Sequence, residues 1–101
     1  MTAVEMIKAM PKTFKPEAAG DLEAIVQYNI SEPMYHIIKD RQVSVHEGKA
    51  DNPTLSISLK DEDFVKLFNG KLSPMTAFMT GKLKIKGDIM LAQKLASLFT
   101  P

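Results

Sequence analysis

The stretch SPMTAFMTGKLKIKGD, residues 73–88, decides how this chain folds. Ser73 followed by Pro74 starts a helix, because the serine side chain can cap it and the proline ring fits its first position. Gly81 ends that short helix. Residues 82–86 then alternate strictly between lysine and an apolar residue, which is typical of a strand with one buried face. The glycine-aspartate pair that closes the stretch predicts the start of a last helix.

Upstream of this stretch, three further patterns predict strands. Residues 22–30 alternate between apolar and polar side chains with one exception. Residues 34–39 and 42–46 are rich in β-formers on both sides of Lys39-Asp40-Arg41, which predicts a hairpin. Residues 54–60 alternate cleanly again. A sheet built from such strands has one apolar face, and that face must be covered.

Helical patterns supply the cover. Apolar residues recur at helical spacing over residues 3–10, and Pro11 ends that helix. Residues 11–20 are expected to form a connection. Asp61 is expected to cap a helix over residues 62–69. Together with the last helix, these elements predict an α+β fold, in which a five-stranded, mainly antiparallel sheet carries helices on one face.

Composition limits what the chain can do. Its 101 residues fit one domain, and 13 basic residues against 12 acidic ones give a net charge of +1. That balance gives no pull toward nucleic acid, so we expect no nucleic-acid partner. The chain has no cysteine, which excludes disulfides and thiolate chemistry. It shows neither a secretory signal nor an apolar run long enough to span a bilayer, so we expect a cytoplasmic protein.

Four short motifs follow one another in the C-terminal half: Gly-Lys-Leu-Ser-Pro at 70–74, Ala-Phe at 77–78, Gly-Lys-Leu-Lys-Ile-Lys-Gly at 81–87, and Leu-Ala-Gln-Lys-Leu at 91–95. In the order and the spacing of these motifs the chain resembles the sterol carrier protein type 2 family. The resemblance covers about residues 50–99, and the N-terminal half is similar only in strand pattern and length.

The resemblance implies one lipid-binding domain over residues 1–101, with an apolar tunnel between the sheet and the helices. Its ligand would be a fatty acid, an acyl-CoA, a phospholipid or a sterol-like lipid, and no cofactor is implied. Position 75 departs from the family pattern, since Met75 stands where many relatives carry a glutamine beside the cavity. The chain also ends without a peroxisomal tripeptide, which favours a stand-alone, bacterial-type member and makes sterol a less favoured ligand.

Apolar side chains on three helices and the last strand are the candidate lining of that tunnel. Such stripes usually fill an ordinary core, and the resemblance is what favours a cavity. Methionines suit a site that adapts to different tails. The last helix, which ends at the terminus, is the expected gate. The candidate lipid-binding residues are Phe64, Leu67, Phe68, Met75, Phe78, Met79, Leu83, Ile85, Leu91, Leu95, Leu98 and Phe99.

Three lysines on the predicted last strand, Lys82, Lys84 and Lys86, face away from Leu83 and Ile85. They are candidates for contact with an anionic lipid head, with CoA phosphates or with an anionic membrane surface. A solvated strand face whose lysines discourage edge pairing explains the same pattern, and the sequence favours that simpler explanation.

Catalysis has little support in the sequence. His36 and His46 lie on the two arms of the predicted hairpin, but two histidines without a third ligand do not define a metal site. No nucleophile elbow, phosphate loop or dinucleotide turn is present. We therefore expect no catalytic or metal-binding residues. A carrier is the favoured function, an accessory module that presents lipids to a partner enzyme is the second, and a small hydrolase or transferase is the third.

Overall fold

A computed structural model describes residues 1–99. The chain begins with helix α1, a turn of 3-10 helix at Met10–Thr13 and a one-turn helix α2, and five strands and three further helices follow. The elements are α1 (Ala3–Ala9), α2 (Pro16–Ala19), β1 (Ala24–Asn29), β2 (Met34–Lys39), β3 (Gln42–Glu47), β4 (Leu55–Ser58), α3 (Asp61–Phe68), α4 (Pro74–Met79), β5 (Lys84–Gly87) and α5 (Ile89–Leu98).

The strands form one sheet in the order β3-β2-β1-β4-β5. Three of the four neighbouring pairs are antiparallel, and β1 pairs with β4 in parallel. The predicted five-stranded, mainly antiparallel sheet is therefore confirmed. The chain makes a meander through β1, β2 and β3, then crosses over to place β4 on the other side of β1.

A buried glutamine fixes that crossover. The side-chain amide of Gln27 donates to the backbone carbonyls of Met34 and Gly48, both at 3.1 Å. Its carbonyl oxygen accepts from the backbone N–H of Ala50 at 2.8 Å. A buried amide without partners would destabilise the fold, and here every polar atom of the amide is bonded. The bonds to Gly48 and Ala50 tie the loop after β3 to the middle of the sheet, and the bond to Met34 joins β1 to the start of β2.

Alternation along the strands separates an inner from an outer face. On the inner face, Val26 lies between His36 of β2 and Leu55 of β4, and all three are buried. On the outer face, half-buried side chains such as Ile37 and Ser56 lie beside exposed ones. Helices α1, α2, α3 and α5 contribute apolar residues to the core formed by the inner face, which confirms helices on one side of the sheet.

The end of α5 is anchored to the N-terminal segment. Leu98 is fully buried, and its carbonyl accepts from the backbone N–H of Lys15 at 2.9 Å. The ring of Phe99 stacks on His36 at 5.3 Å between centroids and packs at a tilt against Phe14 at 5.4 Å. The sequence predicts that α5 acts as a gate, because nothing was expected to anchor its end. In the structure, Leu98 and Phe99 at that end are buried in the core instead.

Three local predictions differ from the structure. Asp61 does not cap α3, because it is the first helical residue and its carboxylate accepts from the backbone N–H and the hydroxyl of Ser31, at 2.8 and 2.6 Å. The connection over residues 11–20 contains helical turns that begin beside its two prolines. Strand β5 starts two residues late, because the N–H groups of residues 82 and 83 both donate to the carbonyl of Ala77.

A histidine and a tyrosine form a polar pair inside the core. The hydroxyl of Tyr28 is 3.0 Å from Nδ1 of His36, and Nε2 of that ring is 3.0 Å from the carbonyl of Ile7. A carbonyl can only accept, so Nε2 carries the proton and Nδ1 accepts from the tyrosine. Burial lowers the pKa of His36 to about 4 and raises the pKa of Tyr28. The neutral pair links α1 to the sheet.

Acid is therefore expected to weaken the fold. An unfolded chain protonates this histidine near its ordinary pKa of about 6.5, whereas the folded chain resists protonation to about 4. Between those values the unfolded state binds more protons, so the free energy of unfolding falls as the pH falls, by about 3 kcal/mol from this residue. Urea unfolding across that range should show this slope in the wild type and in His46→Gln. His36→Gln should lack it, and an unchanged slope in that variant would refute the assignment.

Gly87 ends β5 where another backbone lies against it. Its φ is +107°, and a Cβ at this position would lie 2.5 Å from the carbonyl oxygen of Thr54. That same oxygen accepts from the N–H of Asp88 at 3.0 Å. Only glycine fits here, because any other residue meets both an unfavourable backbone conformation and a steric clash.

Gly87→Ala should thus lower the free energy of unfolding by about 3 kcal/mol. Gly48→Ala is the matched control, since its φ is +93° and a Cβ there meets nothing within 4 Å. The control should lose only about 1 kcal/mol, from the left-handed backbone. Chemical denaturation measures both variants. Equal losses of unfolding free energy would show that the clash with Thr54 does not contribute to the destabilisation.

Candidate functional site

Helix α3 packs against the core through its aromatic residues. Phe64 is buried and meets the ring of Tyr28 edge to face, with 6.0 Å between centroids. Phe68 is half-buried and stacks on Phe64 at 6.3 Å, and Leu67 beside it is half-buried too. Three acidic residues in the first turn of α3 complement the positive end of the helix. Helix α3 is therefore part of the core, and its side chains become more exposed toward its last turn, from buried Phe64 to half-buried Phe68.

Helix α4 turns apolar side chains outward instead. Ser73 caps it, accepting from the N–H of Thr76 at 3.5 Å, as predicted. Met75, Phe78 and Met79 share one face at helical spacing, and they are 72%, 55% and 78% exposed. A cluster of this kind is unusual for a water-exposed helix of a small domain. This exposed apolar face, formed by Met75, Phe78 and Met79, makes α4 a candidate binding surface.

Helix α4 is attached to the rest of the domain mainly through one residue, Ala77. Ala77 is fully buried, and its carbonyl accepts from the N–H groups of Lys82 at 2.9 Å and of Leu83 at 3.0 Å. Leu83 is buried as well, but neither residue belongs to the continuous core cluster. The helix is thus fixed by its own C-terminal turn more than by packing on the sheet.

Helix α5 divides its apolar residues between core and solvent. Asp88 caps it, accepting from the N–H of Leu91 at 3.1 Å, as expected from the sequence. Leu91 is buried, while Ile89 and Met90 in the first turn are 61% and 75% exposed. The sequence analysis missed these two residues. The sequence does contain an indication of their exposure: Ile89 and Met90 follow the cap directly and do not lie on the helix face that carries the leucines.

The twelve predicted lining residues do not share one environment. The structure gives three groups: buried, half-buried and exposed. Phe64, Leu83, Leu91, Leu98 and Phe99 are buried, Leu67, Phe68, Ile85 and Leu95 are half-buried, and Met75, Phe78 and Met79 are exposed. Their role in lipid binding, like the enclosed tunnel, stays a prediction.

An open groove of about 490 Å³ lies where β1 and β4 end. Two of the three predicted lysines, Lys82 and Lys84, line it, while Lys86 lies further along β5. The structure adds Lys60 and Lys66, which the sequence analysis did not connect with the strand because they lie on either side of the first turn of α3. The groove is lined by Ser58, Leu59, Lys60, Glu62, Asp63, Lys66, Gly81, Lys82 and Lys84.

The two histidines lie on opposite faces of the sheet. His36 is opposite Val45 on the inner face, whereas His46 is opposite Tyr35 on the outer face and stacks on its ring at 5.0 Å. Oγ of Ser44 is 2.8 Å from Nε2 of His46. Both imidazoles therefore have structural partners, and they do not combine into one site.

Within residues 1–99, no three side chains of histidine, cysteine, aspartate or glutamate come together as a metal site would require. The helices of that part of the chain are short: α5, with ten residues, is the longest, and none could cross a bilayer.

Comparison with known proteins shows where this architecture occurs. A solution structure of palmitated SCP2L2 from Aedes aegypti matches 100% of this chain and 96% of its own length, with 25% identity and a TM-score of 0.75. A double mutant of the sec-alkyl sulfatase PisA1 has a TM-score of 0.91 over 100% of this chain, at 12% identity and over 17% of its length. That second likeness shows the fold alone.

Sequence relatives also match nearly the whole chain. Hydroxysteroid dehydrogenase-like protein 2 of Rattus norvegicus is 37% identical over 101 residues, which are 95% of this chain and 19% of that protein. The chain thus spans about a fifth of that relative. The profile described as SCP-2 sterol transfer family matches residues 5–100. The chain belongs to this family of lipid-binding and lipid-transfer domains.

Proposed function

We propose that this chain is a lipid carrier that holds an acyl tail on the helical side of the sheet, with α4 as the movable cover. The observation that carries the proposal is the exposed face of α4, formed by Met75, Phe78 and Met79. Three large apolar side chains that remain in water gain most from an apolar ligand. Methionine side chains also adapt to tails of different shape.

Energetics favour a tail as the main source of affinity. About 14 methylenes removed from water supply on the order of 10 kcal/mol of gross transfer free energy, and ordering and association offset much of it. The relative from Aedes aegypti, solved in its palmitated form, supports a fatty acid of that length as a first candidate ligand. Polar contacts are then needed for orientation more than for affinity.

Native mass spectrometry of protein purified without detergent tests this function directly. We expect a fraction of the protein to carry an added mass of lipid size, and we expect a fluorescent fatty acid to bind and to be displaced by palmitate. A homogeneous mass of the bare chain, together with no displacement, would contradict the proposed function.

Phe78→Ala separates a binding role from a packing role. The ring is more than half exposed, so its loss should change the free energy of unfolding by no more than about 0.5 kcal/mol. Affinity for a fatty acid should fall about tenfold, because an apolar contact with the tail is lost. Fluorescent displacement measures the affinity, and urea unfolding measures the stability.

Ile37→Ala is the matched control, since Ile37 is a half-buried apolar residue on the outer face of the sheet. It should leave the affinity unchanged. Equal affinity of wild type and Phe78→Ala, or an equal loss in Ile37→Ala, would show that α4 does not contact the tail.

An accessory role is the second candidate. The rat relative contains this domain as about a fifth of a protein named for a dehydrogenase-like activity, which favours a module that presents lipids to a catalytic partner. We infer that the chain itself is not the catalyst, because both of its histidines are engaged in structural contacts. A free carrier should move a fluorescent fatty acid between two vesicle populations by itself. A presenting module should bind the fatty acid without accelerating that transfer.

A further inference from the structure

The lysine groove joins two separate segments of the chain, residues 58–66 and residues 81–84. Lys60 directly precedes α3, Lys66 lies in the last turn of α3, Lys82 lies in the turn after α4, and Lys84 is the first residue of β5. All four side chains are exposed. Folding has therefore collected four positive charges around one open space of about 490 Å³.

These charges are not neutralised inside the protein. Among residues 1–99 the one ion pair within 4.0 Å joins Lys8 to Glu47, away from the groove. Glu62 and Asp63 also line the groove, but both lie in the first turn of α3, where the helix dipole stabilises negative charge. Four lysines against two carboxylates leave the groove with an excess of two positive charges.

A serine hydroxyl completes the polar lining. Nδ2 of Asn29 donates to Oγ of Ser58 at 3.3 Å. The hydroxyl of Ser58 accepts in this contact, and a hydroxyl can donate as well as accept. Ser58 is directly opposite Lys84 in the pairing of β4 with β5. A hydroxyl donor beside an ammonium group is a suitable environment for a phosphate oxygen.

The groove is also next to the proposed tail site. Gly81 and Lys82 line it, and they follow directly on α4, whose Ala77 carbonyl accepts from the N–H of Lys82 at 2.9 Å. The chain therefore passes directly from the end of α4 into the groove. An excess of two positive charges is matched better by a phosphate monoester or by the several phosphates of CoA, which carry two or more negative charges, than by a single carboxylate.

We propose that this groove binds the phosphate-bearing head of the lipid, whose tail lies against α4. The proposal rests on the proposed carrier function for the tail, while the groove itself can be tested without one. Two sources share the required chemistry: the phosphate monoester of a phosphatidic-acid-type lipid and the phosphates of a CoA thioester.

The experiment compares the wild type with a groove variant, Lys60→Gln/Lys66→Gln/Lys82→Gln/Lys84→Gln. A control variant, Lys12→Gln/Lys39→Gln/Lys49→Gln/Lys94→Gln, removes the same total charge from exposed positions elsewhere. Calorimetric titrations below the critical micelle concentrations use palmitoyl-CoA, palmitoyl lysophosphatidic acid, 1-palmitoylglycerol as the same tail with an uncharged head, and CoA as a head without a tail.

The groove variant should bind the phosphate-bearing lipids about tenfold more weakly than the wild type, and that difference should shrink at high salt. Its affinity for 1-palmitoylglycerol should be unchanged, and the control variant should match the wild type throughout. A loss for both phosphate-bearing lipids indicates recognition of phosphate in general, and a loss for one of them identifies the source.

The proposal is overturned if the groove variant binds both phosphate-bearing lipids as tightly as the wild type, or if the control variant loses as much affinity. A failure of the carrier function looks different. In that case 1-palmitoylglycerol binds to none of the three proteins, and the titration with CoA still decides whether the groove recognises phosphate.

Discussion

The inner face of the sheet must be removed from water, and most of the chain is arranged to do so. Val26, Leu55 and Ile38 are completely buried on that face, and each adds to the apolar area whose burial stabilises the fold. The same face also contains His36 and Tyr28, which bond to each other and to the backbone of α1. Covering this face therefore requires both apolar packing and a specific position for α1.

Two ends of the chain meet on this face. Phe99 stacks on His36, and the carbonyl of Leu98 accepts from the N–H of Lys15. The C-terminal helix is thus held by the N-terminal segment, and the two close the layer over the sheet. This closure contributes to stability, because it buries the apolar side chains of Leu98 and Phe99.

Helix α4 has a different role from the other helices. It contributes a single fully buried side chain, Ala77, and it turns Met75, Phe78 and Met79 to solvent. The core is complete without those three residues. Because their hydrophobic surface does not stabilise the free protein, it is available for a ligand. This separation of stability from binding is the physical basis of the proposed function.

Short-range signals in the sequence were sufficient for most of the architecture. Ser73 caps α4 as predicted, and α5 begins after Gly87-Asp88 as predicted, because a helix start depends on residues only three positions away. The partner of Asp61 was not predictable, since Ser31 lies 30 residues upstream and meets it only after folding. Lys60 and Lys66 were missed for the same reason.

Periodicity also could not decide whether a helix is buried. The spacing of Met75, Phe78 and Met79 predicts one apolar face of a helix, and it is the same whether that face meets the core or the solvent. The structure resolves this point for the free chain, in which all three are exposed.

Methionine methyl NMR with a spin-labelled stearic acid tests the central claim most directly, because exposed methionines occur at both candidate and control positions. Met75 and Met79 lie on α4, and Met1 is similarly exposed, at 74%. A tail bound against α4 should broaden the methyl signals of Met75 and Met79 and leave the signal of Met1 sharp. Equal broadening of all three, as random collisions produce, would contradict the account, and so would broadening of none.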